Sequence, residues 1–271
     1  MQFVRGAEEN GSFEPRPIRI ETQRHAVLTV RSLSRFGGLS EVEETLVRAA
    51  TAQSHAAPPG TELVAEGWPL DKARILLSGW AARVRFLSDG RRQILSFLVP
   101  GDVFGTAARP GALAPWSTVA LTAVTTAQLP LLDEASDAPA GLAGLGSILW
   151  QMMQRDEERL VNQIVRIGRQ SAYERVAHLF LELYFRIRAL DGHHGVSFRL
   201  PLTQEVLSDA LGLSVVHTNR TLQQLRRDGL IELKSGAVSI LDIPRLARIG
   251  DYRLPETLVP SEARHDRLGT S

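Results

Sequence analysis

The feature that most constrains this chain is a change of hydrophobic period near residue 140. Between about 57 and 132 the apolar residues fall in short runs broken by turn residues: TELVAEG, KARILLSG, WAARVRFLSDGRRQILSFLVPGD and WSTVALTAVTTAQLPLL. These runs are strand-sized. Asp89-Gly90, with Val84 and Phe86 before it and Ile94 and Phe97 after it, is a hairpin turn in sequence. Many short strands at this spacing argue for an antiparallel barrel or jelly roll. From about Ser147 to Gly168 the period becomes helical: Leu149, Met153, Leu160, Ile164 and Ile167 recur at steps of four, seven, four and three, with no proline between them. Strands first and helices afterwards predict an α+β chain.

A narrow stripe of this kind packs one long helix on another. It suits a core helix of its own domain or a seam between two copies, and the charged flank QRDEER, which wants water, favours the seam. Gly168 is a poor residue for a helix interior and a candidate hinge before RQSAYERVAHLFLELYFRIRAL.

After the turn DGHHG, the stretch VSFRLPLTQEVLSDALGLSVVHTNRTLQQLRRDGLIELKSGAVSILDI reads as two short helices and a hairpin. Thr203 is a natural N-cap; Val206, Leu207, Ala210 and Leu211 share a face, and Gly212 stops the helix. Ser214 caps again, and Thr218, Leu222 and Leu225 form the buried face of the second helix. Two short helices about a glycine turn follow the helix-turn-helix plan, whose second helix lies in the major groove of DNA. LIELKSGAVSIL adds a hairpin about Ser235-Gly236, a wing.

With that face inward, helical geometry turns Val216, Arg220 and Gln223 outward and puts Asn219 at the flank. Val215, in the first turn, is either core packing or part of the tip that enters the groove. Arg220 is the candidate for a bidentate contact to guanine, Asn219 for adenine, and a valine can pack on a thymine methyl although it neither donates nor accepts. Ser214, His217 and Arg199 are candidates for phosphate or groove-edge contacts that set register.

At 271 residues, 44% apolar and 23% charged, the chain has room for two ordinary domains with cores of their own. Basic minus acidic residues give −2 over 1–165 (16 against 18), +4 over 166–250 (12 against 8) and −1 over 251–271 (3 against 4), so the positive charge sits around the helix-turn-helix. Of the basic residues only Lys72 and Lys234 are lysines; the rest are guanidinium forks suited to phosphate and carboxylate. The absence of cysteine excludes thiolate-ligated clusters and Cys-zinc sites. No histidine occurs between 56 and 135, which weighs against both a haem sensor and a cupin-type metalloenzyme. No Gly-rich phosphate loop or serine nucleophile elbow is present. Apolar runs fall far short of the roughly 20 residues of a membrane span, and the start lacks a secretory apolar segment, so a cytoplasmic protein is expected.

The arrangement resembles the Crp/Fnr transcription factors over about residues 26 to 250. SDGRRQILSFLVPGDVFG is similar to that family's hairpin and Gly-Asp turn, RQSAYERVAHLFLEL to the helix opening its DNA-binding domain, and LTQEVLSDALGLS...NRTLQQLRRDGLI to its winged helix-turn-helix. The two ends (1–25 and 251–271), polar and without a sustained period, read as flexible tails, and the resemblance implies between them a cyclic-nucleotide-binding-like jelly-roll sensor (26–140), a dimerisation helix (141–168) and a winged helix-turn-helix (169–250). It also implies a homodimer on a palindromic operator, with RNA polymerase as a further partner if the protein is an activator.

Two departures stand out. Cyclic-nucleotide binders of the family carry Gly-Glu to hold the ribose and Arg followed by Ser or Thr to hold the cyclic phosphate; the corresponding positions here are Gly105-Thr106 and Trp116-Ser117. Without that carboxylate and guanidinium, tight cyclic-AMP binding is not expected. Arg109, in the loop between them, is a candidate anion contact or simply solvated. The second departure is in the reading helix. The cyclic-AMP receptor branch carries Arg and Glu just after the cap and an Arg later; here Val215 and Val216 take the first two places and Arg220 keeps the third. No enzyme, cofactor, metal or membrane partner is expected. A signalling subunit acting on a protein partner is the alternative reading.

Overall fold

The computed structural model describes residues 18–70, 73–106, 111–129, 143–191 and 195–255. The strand-rich half forms a sandwich of two four-stranded antiparallel sheets. One runs β1 (His55–Ala57), β8 (Val124–Gln128), β3 (Arg74–Ser78), β6 (Val103–Phe104), and the other β2 (Glu62–Val64), β7 (Ser117–Ala120), β4 (Ala81–Phe86), β5 (Arg92–Leu98). The Asp89-Gly90 hairpin is present, with Val84 opposite Ile94 and Gly90 at φ 84°. Side chains alternate along a strand, and β3 shows why its run of apolar residues is unbroken. Leu76 points into the sandwich with Leu98 and Phe104. Ile75 and Leu77 point the other way, against the helices.

Two helices precede the sandwich, α1 (Ile18–Leu33) and α2 (Glu41–Ala52). Helix α1 begins inside the 1–25 segment expected to be an irregular tail, and Ala26, Thr29 and Leu33 form its buried face. Ser40 and Glu43 make a capping box on α2. Glu43 Oε1 also accepts from Leu145 N at 2.6 Å, which caps the next helix, α3 (Ala143–Arg169). One buried carboxylate thus satisfies orphan N–H groups of two helices.

Helix α3 turns Leu145, Ile148 and Met152 toward the sandwich and, further along, Gln163 and Arg166 toward the second domain. Of the stripe expected at a seam, Leu149 packs on the same core as Ile148 and Met152, and Met153 and Leu160 line a cavity with sandwich residues. Ile164 is 67% exposed, Leu149, Met153, Leu160 and Ile167 are half-buried, and Trp150, Val161 and Val165 join them as exposed apolar residues. The helix is interrupted at Gln170, two residues beyond Gly168. Ser171 and Glu174 then cap α4 (Ala172–Asp191) reciprocally, Ser171 N donating to Glu174 Oε2 at 2.7 Å and Glu174 N to Ser171 Oγ at 3.4 Å.

The second domain continues with β9 (Ser197–Arg199), α5 (Gln204–Leu211), α6 (Val215–Arg227), β10 (Ile231–Lys234), β11 (Ala237–Ile240) and α7 (Ile243–Gly250). Its sheet has the order β10-β11-β9, and the wing turns through Ser235 and Gly236, both at positive φ. Phe180 and Leu183 of α4 pack with Leu207, Leu222, Leu225 and Leu246, and the same core runs on into the sandwich through Trp80, Val84 and Phe97. Past α7, Tyr252 stacks on Phe185 at 5.6 Å and meets His178 edge-on at 5.2 Å. Burial and the nearby Arg166 push His178 below its ordinary pKa, although its Nδ1 lies 2.9 Å from Gly250 O.

Candidate nucleic-acid interface and sensor cassette

The helix-turn-helix forms from local chemistry. Thr203 Oγ1 accepts from Val206 N at 3.2 Å, Gly212 ends α5 in the left-handed region (φ 63°, ψ 39°), and Ser214 Oγ accepts from His217 N at 3.2 Å. A buried pair of hydroxyls, Ser208 Oγ donating to Thr218 Oγ1 at 3.0 Å, ties the two helices together. Thr218, Leu222 and Leu225 are buried as helical spacing requires. Val216 is 64% exposed and Arg220 and Gln223 stand out beside it, with Asn219 half-buried at the flank. Val215 is 41% exposed, so it is not core packing.

Ser214, Val216, His217, Asn219, Arg220 and Gln223 line one open concave surface with Tyr173 at the start of α4. Arg220 makes no hydrogen bond or ion pair among the described residues. Two further members of this surface were not expected from sequence, Gln224 and Arg227. Tyr173 donates to Asp228 Oδ2 at 2.6 Å; burial and that bond push its pKa up to about 12, so it stays a donor while anchoring the end of α6 to α4. Arg199 lies apart from this group, at the end of β9 opposite Ala237 and next to the wing's turn.

The last carbonyls of α5 have no partner within the helix. Three other elements supply donors: Gln93 on β5 to Asp209 O (2.8 Å), Gln163 on α3 to Ala210 O (2.6 Å) and Arg175 on α4 to Leu211 O (2.9 Å). Arg92 adds an ion pair to Asp209 at 2.7 Å. The direction in which α6 points is therefore tied to a strand of the sandwich and to α3.

The cassette positions lie where the sandwich meets α3. Gly105, Thr106 and Trp116 line a cavity of about 310 Å³ together with Trp150, Asp156 and Glu157. Ser117 is turned away, its Oγ accepting from Glu66 N at 3.1 Å. Arg109 lies outside the described residues. Sequence reading missed Arg83. Its buried guanidinium lies 5.6 Å from the centre of the Trp116 ring and pairs with Asp156 of α3. Ion pairs then continue from Asp156 to Arg159 (2.7 Å), Arg159 to Asp102 (3.3 Å), Asp102 to Arg186, Arg186 to Glu182 (3.3 Å) and Glu182 to Arg166. Burial alone would raise Asp102 and Glu182, but the surrounding guanidinium groups together, Arg186 and Arg159 about Asp102 and Arg166 and Arg186 about Glu182, outweigh it and hold both below the usual carboxylate range.

Two family descriptions match: "Cyclic nucleotide-binding domain" over residues 55–133 and "Crp-like helix-turn-helix domain" over 174–249. The chain is 33% identical over 202 residues to the nitrogen fixation regulation protein FixK of Rhizobium meliloti, covering 74% of this chain and 82% of that one. It is 30% identical over 190 residues to the transcriptional activatory protein AadR of Rhodopseudomonas palustris, covering 69% and 77%. The structure of FixK2 from Bradyrhizobium japonicum shares the fold with a TM-score of 0.63 at 24% identity, over 73% of this chain and 96% of that one. A cyclic-nucleotide-binding sandwich followed by a DNA-binding helix-turn-helix defines a transcription regulator, not an enzyme. The chain belongs to the Crp/Fnr family of DNA-binding regulators. No helix among the described residues is long and apolar enough to cross a membrane.

Proposed function

We propose that the protein binds a palindromic operator as a homodimer, and that its cassette no longer takes cyclic AMP. The observation that carries the first part is the outward face of α6, where Val216, Arg220 and Gln223 are exposed and Arg220 has no acid partner among the described residues. Arg220 reads guanine, the exposed valines pack on thymine methyls, and Asn219 and Gln223 contact neighbouring bases. Ser214 and His217 at the helix tip, and Arg199 beside the wing, hold phosphates and set register. The exposed stripe of α3 supports a seam between two copies, to which Trp150 and Val161 would contribute with Met153, Leu160 and Ile164. For an activator, RNA polymerase is the further partner.

At the cassette the guanidinium present, Arg83, is already neutralised by Asp156, and Glu157 adds a second acid to the cavity wall. Among the described residues of the cavity wall, a cyclic phosphate would meet no free cation and two carboxylates. Selection of random duplexes by the purified protein tests the reading. It is expected to enrich a palindrome whose half-sites are centred about 34 to 36 Å apart. Recovery of no palindrome would remove the dimeric operator.

A further inference from the structure

A second cavity, separate from the cassette, lies between the sandwich and the DNA-binding domain. Its volume is about 510 Å³, the size of a small-molecule site. Leu28 of α1, Leu76 and Trp80 of the sandwich, and Leu190 and Phe198 of the second domain give it apolar walls. Among the described residues its lining carries two guanidinium groups, Arg188 and Arg199, and no carboxylate.

Arg188 is held in place without being neutralised. Its guanidinium sits 5.9 Å from the centre of the Tyr184 ring, and Nη1 donates to Tyr184 Oη at 3.1 Å. Tyr184 is itself buried, meets Phe185 edge-on at 5.0 Å and donates to Gly195 O at 3.2 Å. Earlier on the same helix, Glu182 and Arg186 are paired with opposite charges, as is Arg166 on α3. Arg188 has no acid partner among the described residues. A guanidinium oriented by an aromatic ring, unneutralised, at the edge of an apolar cavity is complementary to a carboxylate on an apolar body.

The cavity also adjoins the junction between the domains. Gly101, on its wall, has φ 90°, and a Cβ there would come within 2.4 Å of Ser32 Oγ and 2.9 Å of Leu190 Cδ2. Helix α1, this turn and α4 are therefore in close contact, and the next residue, Asp102, holds Arg186 and Arg159.

We propose that this cavity binds an amphipathic monocarboxylate, with its tail against Leu28, Leu76, Trp80 and Phe198 and its head on Arg188, bridging sensor and DNA-binding domain. The inference does not depend on the operator reading, because its test contains no DNA. Decanoate is the probe, titrated by calorimetry below its micelle concentration into the full chain. Saturable binding of one molecule per chain is expected, weakened about tenfold to a hundredfold by Arg188→Gln. Decanol and decyltrimethylammonium, with the same tail and no negative charge, are expected not to bind at this site. In a chain retaining Trp80 as its only tryptophan, 10-bromodecanoate should quench emission in step with binding. If that chain is unfolded by circular dichroism, Leu28→Trp, which fills the cavity, is expected to abolish decanoate binding. No saturable heat, binding matched by decanol or kept within twofold in Arg188→Gln, unquenched Trp80 emission, or full binding in Leu28→Trp would each overturn the proposal.

Discussion

The cassette and helix α6 have both departed from the residues of the cyclic-AMP receptor branch, but in opposite ways. At the cassette Arg83 and Ser117 are satisfied inside the protein: Arg83 pairs with Asp156 and lies over Trp116, and Ser117 accepts from Glu66 N. On α6 the caps and the Ser208–Thr218 pair are complete, while Arg220 on the outward face makes no hydrogen bond or ion pair among the described residues. Groups that answer to one another inside the chain do not require a ligand; groups kept free at a solvent face are available to one.

The largest expected effect lies at the cassette. Arg83→Ala leaves Asp156 short of a buried partner and should lower stability by about 3 kcal/mol in urea unfolding. Alanine at Arg220 should leave it within about 0.5 kcal/mol. Equal losses at the two sites would erase the contrast. Ile164, exposed on α3, belongs with α6 by this criterion. Ile164→Asp should weaken self-association by about 2 kcal/mol in sedimentation equilibrium with the urea midpoint little changed; an unaltered association constant would move the seam elsewhere.

The smallest effect is one of pH. His178 has a folded pKa below its ordinary 6.5, so its contribution to stability is full above about 6.5 and is lost as pH falls through the lower folded value. Asp102 and Glu182 are also held low. Their contribution is full above the ordinary carboxylate range, about 4, and is lost below it as pH falls through their folded values. The unfolding midpoint should therefore decline in two stages on acidification. A midpoint that stays level from pH 7 until the carboxylates titrate would take His178 out of the account.

Much of this was legible from local sequence. Thr203, Gly212 and Ser214 cap and stop helices by contacts with residues three or four places away, and Asp89-Gly90 turns a hairpin on its own backbone preference. The outward set on α6 follows from helical spacing once Thr218, Leu222 and Leu225 are inside. The exposed apolar face of α3 was read less completely, because the stripe omitted Trp150, Val161 and Val165. Helix α1 escaped because its buried side chains are few and small, Ala26 and Thr29 among them, and are set among charges. The Arg83–Asp156 pair joins positions 73 residues apart and Arg92–Asp209 positions 117 apart. In a chain with 31 basic and 30 acidic residues, composition does not say which of them meet.

The central claim is that α6 reads bases through Arg220. It is tested most directly by a mobility-shift titration of wild type and Arg220→Ala, at several fixed salt concentrations, on the selected operator and on a scrambled duplex. The substitution should cost about 1 to 3 kcal/mol per half-site on the operator, and on the scrambled duplex only the weak, salt-dependent change of one lost positive charge. An equal loss on both duplexes would mean that Arg220 contacts phosphate and that the bases are read elsewhere.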